Sequence, residues 1–81
     1  MKYKKLTDGR QRSYKSLGNW GIGATIQETR TGVVLMMDIA YEDQILPFVN
    51  LRFESVPLAK LHAAKTVRNI INEFGKWTEE S

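Results

Sequence analysis

The spacing of apolar positions along this chain changes period, and each change marks an element. From Trp20 to Gln27 they alternate, with Trp20, Ile22, Ala24 and Ile26 against Gly21, Gly23, Thr25 and Gln27. A period of two predicts a strand with one apolar face. Gly32–Ala40 is apolar on both faces: Val33, Leu35, Met37 and Ile39 on one, Val34, Met36, Asp38 and Ala40 on the other. Such a strand is covered on both sides. Thr29-Arg30-Thr31-Gly32 turns the chain between the two strands, so they run antiparallel, and Gly32 suits a left-handed or bulge position. After the acidic loop Tyr41-Glu42-Asp43-Gln44, a further strand is expected over Ile45–Ser55, with Val49, Leu51 and Phe53 inward and Phe48, Asn50, Arg52 and Glu54 opposite. Pro47 lacks an amide donor and belongs at the start of that strand or on an edge.

Beyond Ser55 the period lengthens to that of a helix. Pro57 suits the first helical position, where its missing amide hydrogen costs little. Ala63, Ala64, Val67, Ile70, Ile71, Phe74 and Trp77 form one broad stripe, with Lys65, Arg68, Asn69, Asn72 and Lys76 opposite. Gly75 is the expected stop. Leu58 and Leu61 fall near the polar side of the first turns, where they pack on strand ends or meet a partner. A helix of about 18 residues is about 27 Å long and covers one face of three or four strands. The expected fold is α+β: an antiparallel β-meander of three to four strands, then one long C-terminal helix packed on one face of the sheet.

That plan leaves the second face of Gly32–Ala40 without an obvious cover. A second subunit, a ligand, or the N-terminal segment folding back would each supply one. Gly21 and Gly23 sharpen the question. Two successive outward glycines weaken a strand, and they imply a bend or the close approach of another group.

Residues 1–17 divide from the rest by charge. Lys2, Lys4, Lys5, Arg10, Arg12 and Lys15 stand against Asp8 alone, whereas residues 17–81 carry six basic groups and eight acids. Thr7-Asp8-Gly9 is a turn signal. The segment reads as a basic arm, or as one short hairpin with Lys2–Leu6 and Gln11–Leu17 as its arms; the preferred reading is partial order, with Arg10–Lys15 as an edge strand or extended lead-in. Residues 18–77 then form one meander-plus-helix domain, and residues 78–81 an acidic tail that frays.

Composition narrows the classes. A chain of 81 residues makes one domain and buries only about 60% of the surface its unfolded form exposes, so oligomerisation is an expected source of stability. There is no cysteine, hence no disulfide framework. No apolar run approaches the ~20 residues of a membrane span, and no signal-peptide core follows the basic start. A cytoplasmic protein without a membrane association is the expectation.

Candidate chemistry is sparse. The only histidine, His62, sits on the predicted helix, where a surface role explains it better than a catalytic triad. Glu42-Asp43 and Glu79-Glu80 lack the clustering of a metal site. Gly21-Ile22-Gly23 has a strand continuing through it, unlike a phosphate-binding loop. No catalytic residue, metal or cofactor is expected.

Basic residues interleaved with aromatics are the one recurrent pattern. Lys4, Lys5, Arg10, Arg12 and Lys15, extended by Arg30 and Arg52, offer charge for phosphates; Tyr14, Trp20 and Phe48 offer flat faces for bases. That combination binds single-stranded nucleic acid. For Trp20 a core position is the competing reading. The alternative function, from another class, is a regulator, adaptor or phage-type inhibitor that binds a protein through the semi-apolar sheet face (Val34, Met36, Phe48) or the helix edge (Leu58, Leu61).

Gly32-Val33-Val34-Leu35, followed by Asp38-Ile39 and Tyr41, resembles a strand of the positive-cofactor-four family of transcriptional coactivators. The order of parts is also similar, from about Trp20 to Phe74: basic lead-in, antiparallel strands, one C-terminal helix. The resemblance implies a homodimer that binds single-stranded DNA through basic and aromatic side chains on its strands. The matched residues are scaffold positions. Arg30 falls in a turn where the family is basic, but Gly21, Gly23 and Thr25 stand where the family's strands carry charge.

Overall fold

The strand apolar on both faces, β4 (Gly32–Tyr41), lies inside a five-stranded antiparallel sheet. The computed structural model describes residues 2–80, with side chains from residue 2 to residue 73. The other strands are β1 (Lys4–Lys5), β2 (Gln11–Leu17), β3 (Trp20–Thr29) and β5 (Gln44–Phe53), followed by helix α1 (Val56–Glu80). Strand order in the sheet is the order in the chain. The architecture is the expected α+β meander plus helix, but with five strands rather than three or four. The basic N-terminal segment supplies the difference: its turn, with Gly9 at φ 92, folds β1 back on β2.

Register settles which residues share a face. Ile22, Ala24 and Ile26 of β3 lie opposite Ile39, Met37 and Leu35 of β4. With Val33 they form the apolar floor that α1 covers with Ala59, Ala63 and Val67. The two alanines let the helix approach closely, and Ile22, Ala24, Leu35, Met37, Ala59 and Ala63 retain no exposed surface. Trp20, Val49, Phe53, Val56, Ile70 and Ile71 pack around this core half-buried. Leu51, expected inward, lies on the helix side across from Leu35 yet stays 46% exposed. Edge strand β5 projects beyond the cover that the helix gives.

Helix α1 is started by Ser55, whose Oγ accepts from the Leu58 amide (3.4 Å) and whose carbonyl accepts from the Ala59 amide (3.2 Å). Pro57 is the second helical residue, not the first. The helix runs through Gly75 and on to Glu80, where the sequence suggested a stop and a frayed tail. An interior glycine costs only about 1 kcal/mol relative to alanine, and no proline follows to end the helix. Phe74 and Trp77, placed on the apolar stripe by periodicity, lie outside the described side chains. Among the described residues no helix is long and apolar enough to cross a membrane.

Turns follow the local chemistry. Gly32 has φ 146, and Thr29 Oγ1 donates to its carbonyl at 2.8 Å. A side chain at Gly32 would meet the Phe53 carbonyl oxygen at 2.9 Å. Between β4 and β5 it is Glu42, not a glycine, that takes positive φ (54°).

Candidate nucleic-acid interface

The second face of the sheet is covered over β3 by side chains from within the chain. Arg12 lies opposite Thr25 on β2, and Gly23 lies opposite Asp38 on β3. The Arg12 side chain crosses β3 above Gly23 and reaches Asp38. Its Nη1 donates to Thr25 Oγ1 (2.6 Å) and Asp38 Oδ2 (3.3 Å), its Nη2 to Asp38 Oδ1 (3.2 Å). A Cβ at Gly23 would fall against the Arg12 guanidinium and 2.6 Å from Asp38 Oδ1. One strand position along, the Tyr14 ring occupies the space that a Cβ at Gly21 would need. The outward glycines therefore admit Arg12 and Tyr14, and Gly21, Gly23 and Thr25 are buried with no helix above them. The N-terminal segment, one of the three covers that the sequence allowed, joins the sheet edge and reaches β4 only at Asp38; Val34, Met36 and Ala40 stay half-buried.

This accounting changes the status of the ten residues that the sequence points to. Arg12 is part of the scaffold, paired with a carboxylate that is only 16% exposed. Arg10 is bound to Asp8 within its own turn (Nε–Oδ2 2.7 Å), and the Arg10 backbone amide, then its side chain, hold the Asp8 carboxyl below the usual range. Arg52 Nη1 donates to Thr31 Oγ1. Trp20 packs half-buried against the core, the competing reading for it. Phe48 is exposed, but at the register shift in β5, on the opposite side of the sheet from β1 and β2. Arg30 is exposed at the tip of the β3–β4 turn. These residues do not form one patch.

Of the remaining four, Lys15 and Lys5 face the helix side of the sheet, while Tyr14 and Lys4 face the other side. Strand β1 pairs only with Gln11 and Arg12, so β2 has a free edge from Ser13 to Leu17. Between that edge and α1 lies an open groove of about 490 Å³. Its floor is Ala64, Val67 and Ile71; its polar rim is Ser13 and Asn72 with the cations Lys2, Lys15 and Arg68. None of the three cations has a carboxylate partner among the described residues. Tyr14 borders the groove, but its ring, 53% exposed, lies over Gly21 on the face of the sheet away from α1. Lys4 and Lys5 continue the basic surface along exposed β1. Lys2 and Arg68 are absent from the sequence-derived set. Lys2 was already visible as one of the arm's basic residues, whereas Arg68 joins them only because α1 crosses beside β2.

A second hollow, about 300 Å³, lies between Lys5, Arg10 and Gln27 but also holds Asp8 and Glu28, which cancel its charge. Among the described residues no three His, Asp or Glu side chains come together as metal ligands. Comparison with protein-family models, with curated proteins and with solved structures finds no match for this chain.

Proposed function

We propose that this chain is a non-enzymatic, cytoplasmic binding module for single-stranded nucleic acid, with the β2–α1 groove as the path of the phosphates. The observation that carries the reading is the convergence of Lys2, Lys15 and Arg68 on one groove, without acidic partners among the described residues; the exposed ring of Tyr14 lies across the β2 edge, on the other face of the sheet. Cations that follow a backbone and an aromatic face that accepts any base are the two ingredients of sequence-tolerant single-strand binding. The resemblance to the positive-cofactor-four plan favours the same class, although the binding surface moves from the strand faces to the groove. Arg10, Arg12 and Arg52 drop out as phosphate ligands because each is engaged inside the chain.

The test is fluorescence anisotropy with a labelled oligothymidine of about 20 nucleotides, titrated at several salt concentrations with a duplex as control. Binding that prefers the single strand and weakens with salt is expected. Each lost phosphate contact flattens the plot of log affinity against log salt by about 0.7, so Lys15→Glu with Arg68→Glu should lower the slope by about 1.4 and weaken binding at least tenfold. Affinity and slope unchanged in that double variant, with folding intact, would reject the groove. No binding at low salt would reject the class.

A protein-interaction module is the second reading. The exposed apolar residues of β5 and α1 favour it: Ile45, Leu46, Phe48, Leu51, Leu58 and Leu61. Val34 and Met36, the other face considered from sequence, are half-buried beside the Arg12–Asp38 pair and make a poorer interface.

A further inference from the structure

The apolar surface left open by this fold is concentrated on one side. Among the described residues, six of the eight large apolar side chains that remain exposed lie on β5 or in the first two turns of α1. The two groups adjoin. His62 stacks at 5.3 Å against Phe53 at the end of β5, and Leu58 stands one turn before His62 on the same side of the helix. Strand β5 is also a terminal strand of the sheet, so its outer backbone donors and acceptors have no partner strand. A long, apolar, unpaired edge invites another strand.

We propose that β5 pairs antiparallel with β5 of a second copy of this chain, with Leu51 on the two-fold axis, giving a continuous ten-stranded sheet. The sequence of the edge selects this register. Residues directly opposite share a face, so Val49, Leu51 and Phe53, on the helix side, must meet one another. Centring on Asn50 would draw Pro47, which has no amide hydrogen, into the ladder. Centring on Arg52 would set like charges directly opposite. Centring on Leu51 sets Val49 against Phe53, Leu51 against itself and Asn50 against Arg52, and it brings Leu58 of each helix toward the axis. Pro47 and the register shift beside it end the regular edge where the pairing ends. The two basic grooves would then lie at the far ends of the dimer sheet.

The measurement is sedimentation equilibrium of the protein without nucleic acid, which keeps its outcome separate from that of the groove. Twice the chain mass is expected, returning to the chain mass in Leu51→Lys, with circular dichroism to verify that the variant folds. The chain has no cysteine, so Leu51→Cys introduces one thiol. Opposed Cα atoms of an antiparallel pair lie about 4.5–5.5 Å apart, within disulfide range. That variant should give a covalent dimer under mild oxidation, while Gln27→Cys, exposed on β3, should not. A monomer at the highest concentration the protein tolerates would overturn the proposal. So would a dimer that survives Leu51→Lys, or a Leu51→Cys that links no more readily than the control.

Discussion

Arg12 shows why a residue's type does not give its role. In sequence it is one of a run of cations beside an aromatic. In the fold it is held by Thr25 and Asp38, and Gly23 exists to let it pass. A charge reversal at Arg12 would therefore test folding and not binding. Gly23→Ala puts a methyl group between the guanidinium and the carboxylate and leaves two part-buried charges imperfectly paired. We expect it to lower stability by about 2 kcal/mol, measured by urea denaturation. The glycines were legible as the mark of a close approach; the approaching group was not, because Arg12 and Asp38 are 26 residues apart and meet only through strand register. Tyr3 carries a different kind of strain. Its hydroxyl is buried without a partner, Lys60 Nζ lies 4.9 Å from its ring centroid, and burial raises its pKa. The native state thus keeps this proton to higher pH than the unfolded chain does. The stability is fully present below the unfolded value of about 10 and falls as pH rises through it. Tyr3→Phe should hold stability level or raise it by up to about 1 kcal/mol at neutral pH, and it should shrink the alkaline loss in thermal melts recorded from pH 8 to 11.

At the scale of elements, the hydrophobic pattern carries most of the information. Alternation along Trp20–Gln27 and the two apolar faces of Gly32–Ala40 predict β3 and β4 and their pairing, and the sheet side of the core is built from those two strands. Element ends were less legible. The helix outlasts Gly75 because a break needs more than one weak residue in a helix already docked by Ala59, Ala63 and Val67. Strand β1 is two residues long, too short for any periodicity; the turn signal Thr7-Asp8-Gly9 places it within the hairpin arm Lys2–Leu6, and its pairing with Gln11 and Arg12 sets its bounds. The groove, in turn, needs the relative position of β2 and α1, which no local pattern encodes. The β4–β5 turn offers a direct check on local strain. Glu42 sits at φ 54, where a side chain crowds its own backbone. Glu42→Gly should raise stability by about 0.5–1 kcal/mol in denaturant titrations. A loss of stability would mean that the Glu42 side chain makes a compensating contact.

At the scale of the whole molecule, the sheet has two unlike margins. One carries the basic groove along β2 and the short strand β1; the other is the apolar edge of β5. The partners proposed for them differ accordingly, an anion at one margin and an apolar strand at the other. The order of assembly follows from the meander itself. Every strand pairs with its neighbour in sequence, so each hairpin closes over a short loop and none waits for a distant segment. As the chain emerges during synthesis, the sheet can grow hairpin by hairpin from its N-terminal end. Helix α1 comes last, and until it docks, Ile22, Ile26, Leu35 and Met37 face water as one apolar sheet surface. The hazardous interval is therefore the one between completion of the sheet and the docking of its cover.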